Sequence, residues 1–190
     1  MAKSNAAPPA RYHPWLAGLH WLLAVLIFGN LGAGWLLLES LDPADPARLG
    51  ALRAHVAVGL IVLVLMLVRL GMRIFSRRPP PVEGAKVLRW SAAVVHWGFY
   101  VLVFGMTTSG LGLALASGLF EAFKGAGPVP ADFSRYPPLA GHALFATILG
   151  GFIGLHLAAA LFHQFIRRDG LIGRMGFGPR YAPSAKEPSQ

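Results

Sequence analysis

Residues 141–165 read GHALFATILGGFIGLHLAAALFHQF. The stretch has no Asp, Glu, Lys or Arg, yet it holds three histidines, His142, His156 and His163. As a helix rising about 1.5 Å per residue, it is long enough to cross a bilayer core of about 30 Å. A titratable ring is costly in such a span, and its presence there is by default a functional signal. What the three rings do depends on what surrounds them.

Working outward, the uncharged block that encloses this stretch runs from Tyr136 to Ile166. Three more precede it, at Trp15–Leu38, Ala54–Val68 and Trp90–Phe120. Three of the four exceed the roughly 20 residues a transmembrane helix needs. The second, bracketed by Arg53 and Arg69, reaches that length if Arg69 snorkels its guanidinium to the interface. The chain is 55% hydrophobic and 13% charged, against about a quarter charged in soluble domains. The fold expected is all-α, a four-transmembrane-helix up-down bundle. The first block is too long for the apolar core of a cleaved leader and ends in WLLLES, so it reads as a retained anchor.

A net charge of +9 over 190 residues invites a nucleic-acid reading. Its distribution argues for no nucleic acid. Thirteen of 17 cations fall in the N-terminal tail, the connection between the second and third blocks, the C-terminal tail and the helix ends beside them. The other two connections hold Arg48, Arg53, Lys124 and Arg135 with five of the eight acids. That is the positive-inside asymmetry, and it predicts both termini in the cytoplasm and a basic face toward anionic lipid. Lys124 and Arg135 are weak candidates for drawing an anionic donor to the outer face.

The organisation expected is a flexible cytoplasmic N-tail at 1–11, one membrane domain at 12–175 and a cytoplasmic C-tail at 176–190 that frays. The first outer connection, ESLDPADPARLG, breaks helix at its Asp-Pro turns. The inner connection SRRPPPVEGAK is too Pro-rich to be helical throughout. The second outer connection, FKGAGPVPADFSRYPP, is the longest irregular stretch. Glycines at 29, 32, 34, 59, 150, 151 and 154 read either as close helix packing or as room for a flat cofactor.

Six of seven histidines lie in or near the apolar blocks: His20, His55, His96, His142, His156 and His163. His13 reads as surface. At 100° per residue, His142 and His156 fall within about 40° of each other, and His163 within about 20° of His156. One helix therefore presents a single histidine stripe. His142 and His156 are separated by roughly 21 Å of rise, too far for one cofactor and suited to two. Depth gives the pairing. His55 and His142 both start inward-running helices near the outer face. Counted from the basic residues at the inner ends, His20 and His156 match at roughly 13 and 16 Å, while His96 and His163 lie shallower, at roughly 10 and 6 Å.

Zinc asks for about four ligands, and no acid or cysteine is near. With no cysteine in the chain, iron–sulfur clusters and covalent haem attachment are excluded. A haem needs two axial ligands on opposite sides of a plane in an apolar slot, and the depth-matched pairs offer that twice. Arg69, 14 residues beyond His55 on the same face, suits a haem propionate.

These residues resemble the bacterial di-haem cytochrome b561 family. The likeness is carried by LHWLLAVL, RAHVAVGLIVLVLMLVRLGMR, HWGFYVLVFGMTTSGL and GHALFATILGGFIGLHLAAALFHQFIRRDGLIGRM, from about Tyr12 to Met175. It implies a bundle in the bacterial inner membrane holding two haem b groups, the inner on His20 and His156, the outer on His55 and His142. It also implies electron exchange with ubiquinone near His96 and His163. The activity implied is that of a superoxide oxidase, with superoxide or another periplasmic one-electron donor as the source. Two other readings compete: a cytochrome b subunit joining a redox partner subunit, a dehydrogenase or hydrogenase, to the quinone pool, and a haem-free, His-lined metal or proton transporter.

Overall fold

The computed structural model describes residues 11–76, 79 and 86–176, those at 86–89 by backbone alone. All but Arg11 and Gly176 of the expected tails at 1–11 and 176–190, and most of SRRPPPVEGAK, lie outside the described residues.

Helix α1 spans Pro14–Gly32 and runs on as a wider π-helical turn at Ala33–Leu38. Pro14 pre-sets the first turn, and His13 accepts the Trp15 N–H at Nδ1, 3.3 Å away. His13 is thus a helix cap. Helix α2 spans Ala47–Phe75. It starts about a turn earlier than the ESLDPADPARLG loop predicts. The reason is local: Asp42 and Asp45 each accept the N–H two residues on, at 2.8 Å, so the chain has turned and presents Ala47 already capped.

Helix α3 spans Lys86–Ala116 and the short α4 spans Leu119–Phe123. The uncharged block Trp90–Phe120 is therefore two helices. Gly118, at φ 71°, breaks the run in a conformation other residues rarely adopt. Leu119 and Ala122 then bury against Leu52 and Ala114, forming a small apolar cluster at that end of the bundle. Helix α5 spans Pro138–Leu161 and widens into a π turn at Phe162–Arg167. The four long helical stretches, Pro14–Leu38, Ala47–Phe75, Trp90–Ala116 and Pro138–Arg167, are each long and apolar enough to cross a membrane.

The chain after α5 stays on the bundle as far as Met175. A 3₁₀ turn at Ile172–Met175 folds back onto α1. The Tyr12 N–H donates to the Arg174 carbonyl and Trp21 Nε1–H to the Met175 carbonyl, each at 3.1 Å.

Neighbouring helices pack in chain order, α1 on α2, α2 on α3, and α3 most extensively on α5. Their shared core centres on Val62, Val103 and Leu149, all fully buried. A Cβ at Gly105 would overlap the Phe145 ring, which shows how closely α3 and α5 approach. Helix α5 makes no comparable backbone packing with α1 or α2. Large apolar side chains such as Val25, Leu36, Phe75 and Phe165 point outward, as lipid-facing residues do. The Thr107 and Thr108 hydroxyls bond to carbonyls one turn back on α3, at 2.8 and 2.6 Å, so they carry no unpaired donor into the membrane.

Candidate functional site

Helix α5 stands off from α1 and α2, and the histidines of the stripe reach across those gaps. The His20 ring on α1 and the His156 ring on α5 have centroids 6.2 Å apart. His55 on α2 and His142 on α5 are 6.1 Å apart. These are the two pairs that depth and helical angle predict.

The two distances have a chemical meaning. A metal–imidazole bond is about 2.0–2.1 Å, so two ring centres flanking one metal sit roughly 6 Å apart. Direct ring contacts and hydrogen bonds do not require that spacing. Among the described residues, no group of three or more His, Asp or Glu comes close enough to hold an ion. Two opposed imidazoles therefore suit a metal that brings its own in-plane ligands. Gly29, Gly151 and Gly154 are exposed, with nothing within 4 Å of where a Cβ would stand, so they lie on the outward faces of α1 and α5 and not beside the rings. Of the two readings of the glycines, close packing fits Gly150, whose Cβ position lies 2.8 Å from the Trp35 ring.

The outer pair is held by α3. His142 Nδ1 lies 2.8 Å from the Met106 carbonyl oxygen. A proton on Nδ1 donated to that carbonyl fixes the tautomer and leaves the Nε2 lone pair free. The approach depends on Gly110, where a Cβ would sit 2.8 Å from His142 Cε1. Across the gap, His55 Nδ1 is buried and reaches no hydrogen-bond geometry among the described residues, although the Asn30 backbone bears on the ring. Its Cε1 abuts the Cβ position of Gly34 at 3.4 Å.

The inner pair has a third neighbour. The His96 ring on α3 lies 6.1 Å from His156, as close as His20. Counting depth from Arg89 places His96 too shallow, because Arg89 is already inside α3, which begins at Lys86. Phe99 packs edge-on against His156 at 5.4 Å on the same α3 face, so His96 and His20 approach His156 from different helices. His163 is not part of this group. Its Nδ1 lies 2.5 Å from Asp169 Oδ2.

Arg69 is largely buried and donates from Nη1 to the Leu16 carbonyl at 2.6 Å, one turn from His20. It lines a small open cleft with Tyr12, Leu16, Arg73, Tyr100 and Met175. Arg73 lies over the Trp97 and Tyr100 rings at 5.6 and 5.8 Å. At the other end of the bundle, Lys124 and Arg135 pair with Glu121 and Asp132 at 3.0 and 3.5 Å. Paired with acids, they attract an anion weakly. Arg53 donates to the Phe123 carbonyl and Arg48 stacks on Phe133.

Fold and site together define a class: a four-helix membrane protein whose paired histidines, set across helix gaps, suit a planar metal cofactor. The family model described as prokaryotic cytochrome b561 matches residues 11–178. The chain belongs to that family. It is similar to cytochrome b561 homolog 2 of Escherichia coli strain K12, 28% identical over 173 residues, covering 88% of this chain and 92% of the relative. It is 29% identical to the probable superoxide oxidase CybB of Yersinia pestis, covering 83% and 91%. Cytochrome b562 of Cereibacter sphaeroides is 33% identical, covering 83% and 89%. No solved structure matches the chain significantly. The family makes this a multi-pass inner-membrane electron-transfer protein with haem b as its cofactor.

Proposed function

We propose that this chain holds two haem b groups and passes single electrons from a periplasmic donor, superoxide foremost, to ubiquinone near the cytoplasmic face. The observation that carries the reading is the pair of His–His separations, 6.2 and 6.1 Å, each across a gap between helices that do not pack closely. His20 and His156 are the proposed axial ligands of the inner haem, His55 and His142 those of the outer. A bound haem supplies a reversible one-electron carrier whose potential the axial rings and their surroundings tune.

The chain's own residues do the rest. Met106 and Gly110 hold the His142 ring in one tautomer and position. Arg69, beside the start of α1, is the proposed partner of a haem carboxylate. His96 and His163 are the proposed quinone contacts. Both termini, with the basic clusters beside them, are proposed to face the cytoplasm. The similarity to a relative named as a probable superoxide oxidase supports superoxide as the donor.

The test is direct. Purified protein should carry two haems per chain by pyridine haemochrome assay, with a Soret band that sharpens on dithionite. Stopped-flow mixing with superoxide should reduce the haems, and a ubiquinone analogue should sustain turnover. One haem per chain would refute the paired assignment. Haems that stay oxidised in superoxide, yet are reduced by a partner dehydrogenase, would replace this donor with a subunit.

A further inference from the structure

Beyond the histidines stands a carboxylate that neither the pairing nor the family resemblance uses. Helix α5 ends in a π turn at Phe162–Arg167, and the next residue, Arg168, adopts a left-handed conformation at φ 53°. A non-glycine residue there is uncommon and costs energy. Its effect is to reverse the chain. Asp169 is turned back against the helix it has just left, its N–H reaching the His163 carbonyl at 3.4 Å.

The carboxylate is then held from several sides. Oδ2 lies 2.5 Å from His163 Nδ1 and 3.8 Å from Arg167 Nε. Oδ1 accepts the Leu171 N–H at 3.3 Å. A few residues on, Arg174 and Met175 are pinned to Tyr12 and Trp21. The His163 side chain is mostly covered, 14% exposed, while Asp169 stands at the surface. Among the described residues, the charged groups acting on Asp169 are His163 and Arg167. The His163 hydrogen bond, chiefly, holds the Asp169 carboxyl below the ordinary carboxylate range.

We propose that Asp169 is a positioning residue for quinone reduction, fixing His163 through Nδ1 so that Nε2 delivers protons to the quinone oxygens. This rests on the proposed quinone role of His163. A quinone becomes a quinol by taking two electrons, supplied one at a time by the periplasmic donor through the haems, and two protons. Each proton leaves Nε2 of the His163 imidazolium for a quinone oxygen, and water at the end of the bundle that holds the termini reprotonates the ring. Asp169 stays ionised throughout. It accepts the Nδ1–H and stabilises the imidazolium, the division of labour of an oriented general acid.

A carboxylate that only caps the helix would govern neither the tautomer of His163 nor the rate of quinone reduction. In haem-loaded protein, Asp169→Asn should leave the two-haem spectrum and both midpoint potentials unchanged. It should slow quinone reduction by roughly tenfold or more. Asp169→Glu should recover most of the rate. Histidine ¹⁵N spectra should show His163 protonated on Nδ1 in the parent protein and a mixture of tautomers in Asp169→Asn. A normal rate in Asp169→Asn would overturn the proposal, as would an unchanged tautomer. If the parent protein reduces no quinone at all, the proposed function fails, and the tautomer measurement alone judges the Asp169–His163 link.

Discussion

His142 on α5 lies 2.8 Å from the carbonyl of Met106 on α3, and the absence of a Cβ at Gly110, one turn further along α3, is what lets the ring in. A helix that presents no histidine of the outer pair therefore sets the orientation of one of them. Gly110→Ala would place a methyl 2.8 Å from His142 Cε1. Overpacking of this kind costs about 1–3 kcal/mol. The variant should lose or shift the outer haem while the inner haem keeps its spectrum, as low-temperature difference spectra and a redox titration would show.

At the inner pair, His20 and His96 stand at nearly equal distances from His156, 6.2 and 6.1 Å. Only one can oppose His156 across a metal. With His20 as the ligand, His20→Ala halves the haem content and His96→Ala leaves two haems per chain while slowing quinone reduction. A His96→Ala protein carrying one haem would reassign the ligand.

Arg69 brings a positive charge beside Leu16 and the first turns of α1. Removing a cation near a haem favours the oxidised state. Arg69→Gln should lower the inner midpoint potential by tens of millivolts, the scale set by about 59 mV per tenfold change for one electron. Arg69→Lys, which keeps the charge and loses the forked donor, should restore most of that potential. Equal potentials in all three proteins would remove Arg69 from the site.

The Asp169 carboxyl sits below its usual value of 3.8 because His163 donates to it. A carboxylate with a depressed folded-state pKa gives its stabilisation in full above the unfolded value and loses it as pH falls through the folded one. The link between α5 and the returning chain should therefore persist from neutral pH to below pH 4, measurable by proteolytic cutting after Arg167 and Arg168. A link that opens between pH 6 and 5 would mean that the carboxylate is not the group in control.

Much of this was legible before any coordinates. Charge-free blocks give four spanning helices because a bilayer admits no unpaired charge and sets their length. Residue spacing gives the stripe on α5, since angle and rise within one helix are fixed. Rotation and closeness between helices are not fixed that way. The nearness of His96 to His156, the Gly110–His142 approach and the seating of Trp35 on Gly150 all depend on which faces meet. The break at Gly118 was hidden in an uncharged run, because hydropathy does not register a left-handed residue. Nothing in RRDG announces that Arg168 turns the chain back and sets Asp169 against His163.

One helix contributes a ring to each pair, and this makes α5 a measuring rod. From His142 to His156 is fourteen residues, close to four whole turns, so both rings point the same way with no help from any loop. The distance between the two stations is thus an integer counted along a rigid rod, and it tolerates no fraction. One residue inserted between them would swing one ring about 100° around the axis and move it about 1.5 Å along it. Adding four, nearly a full turn, would restore the bearing and lengthen the step by about 6 Å. On the proposed two-haem reading, the chain sets how far an electron jumps by arithmetic.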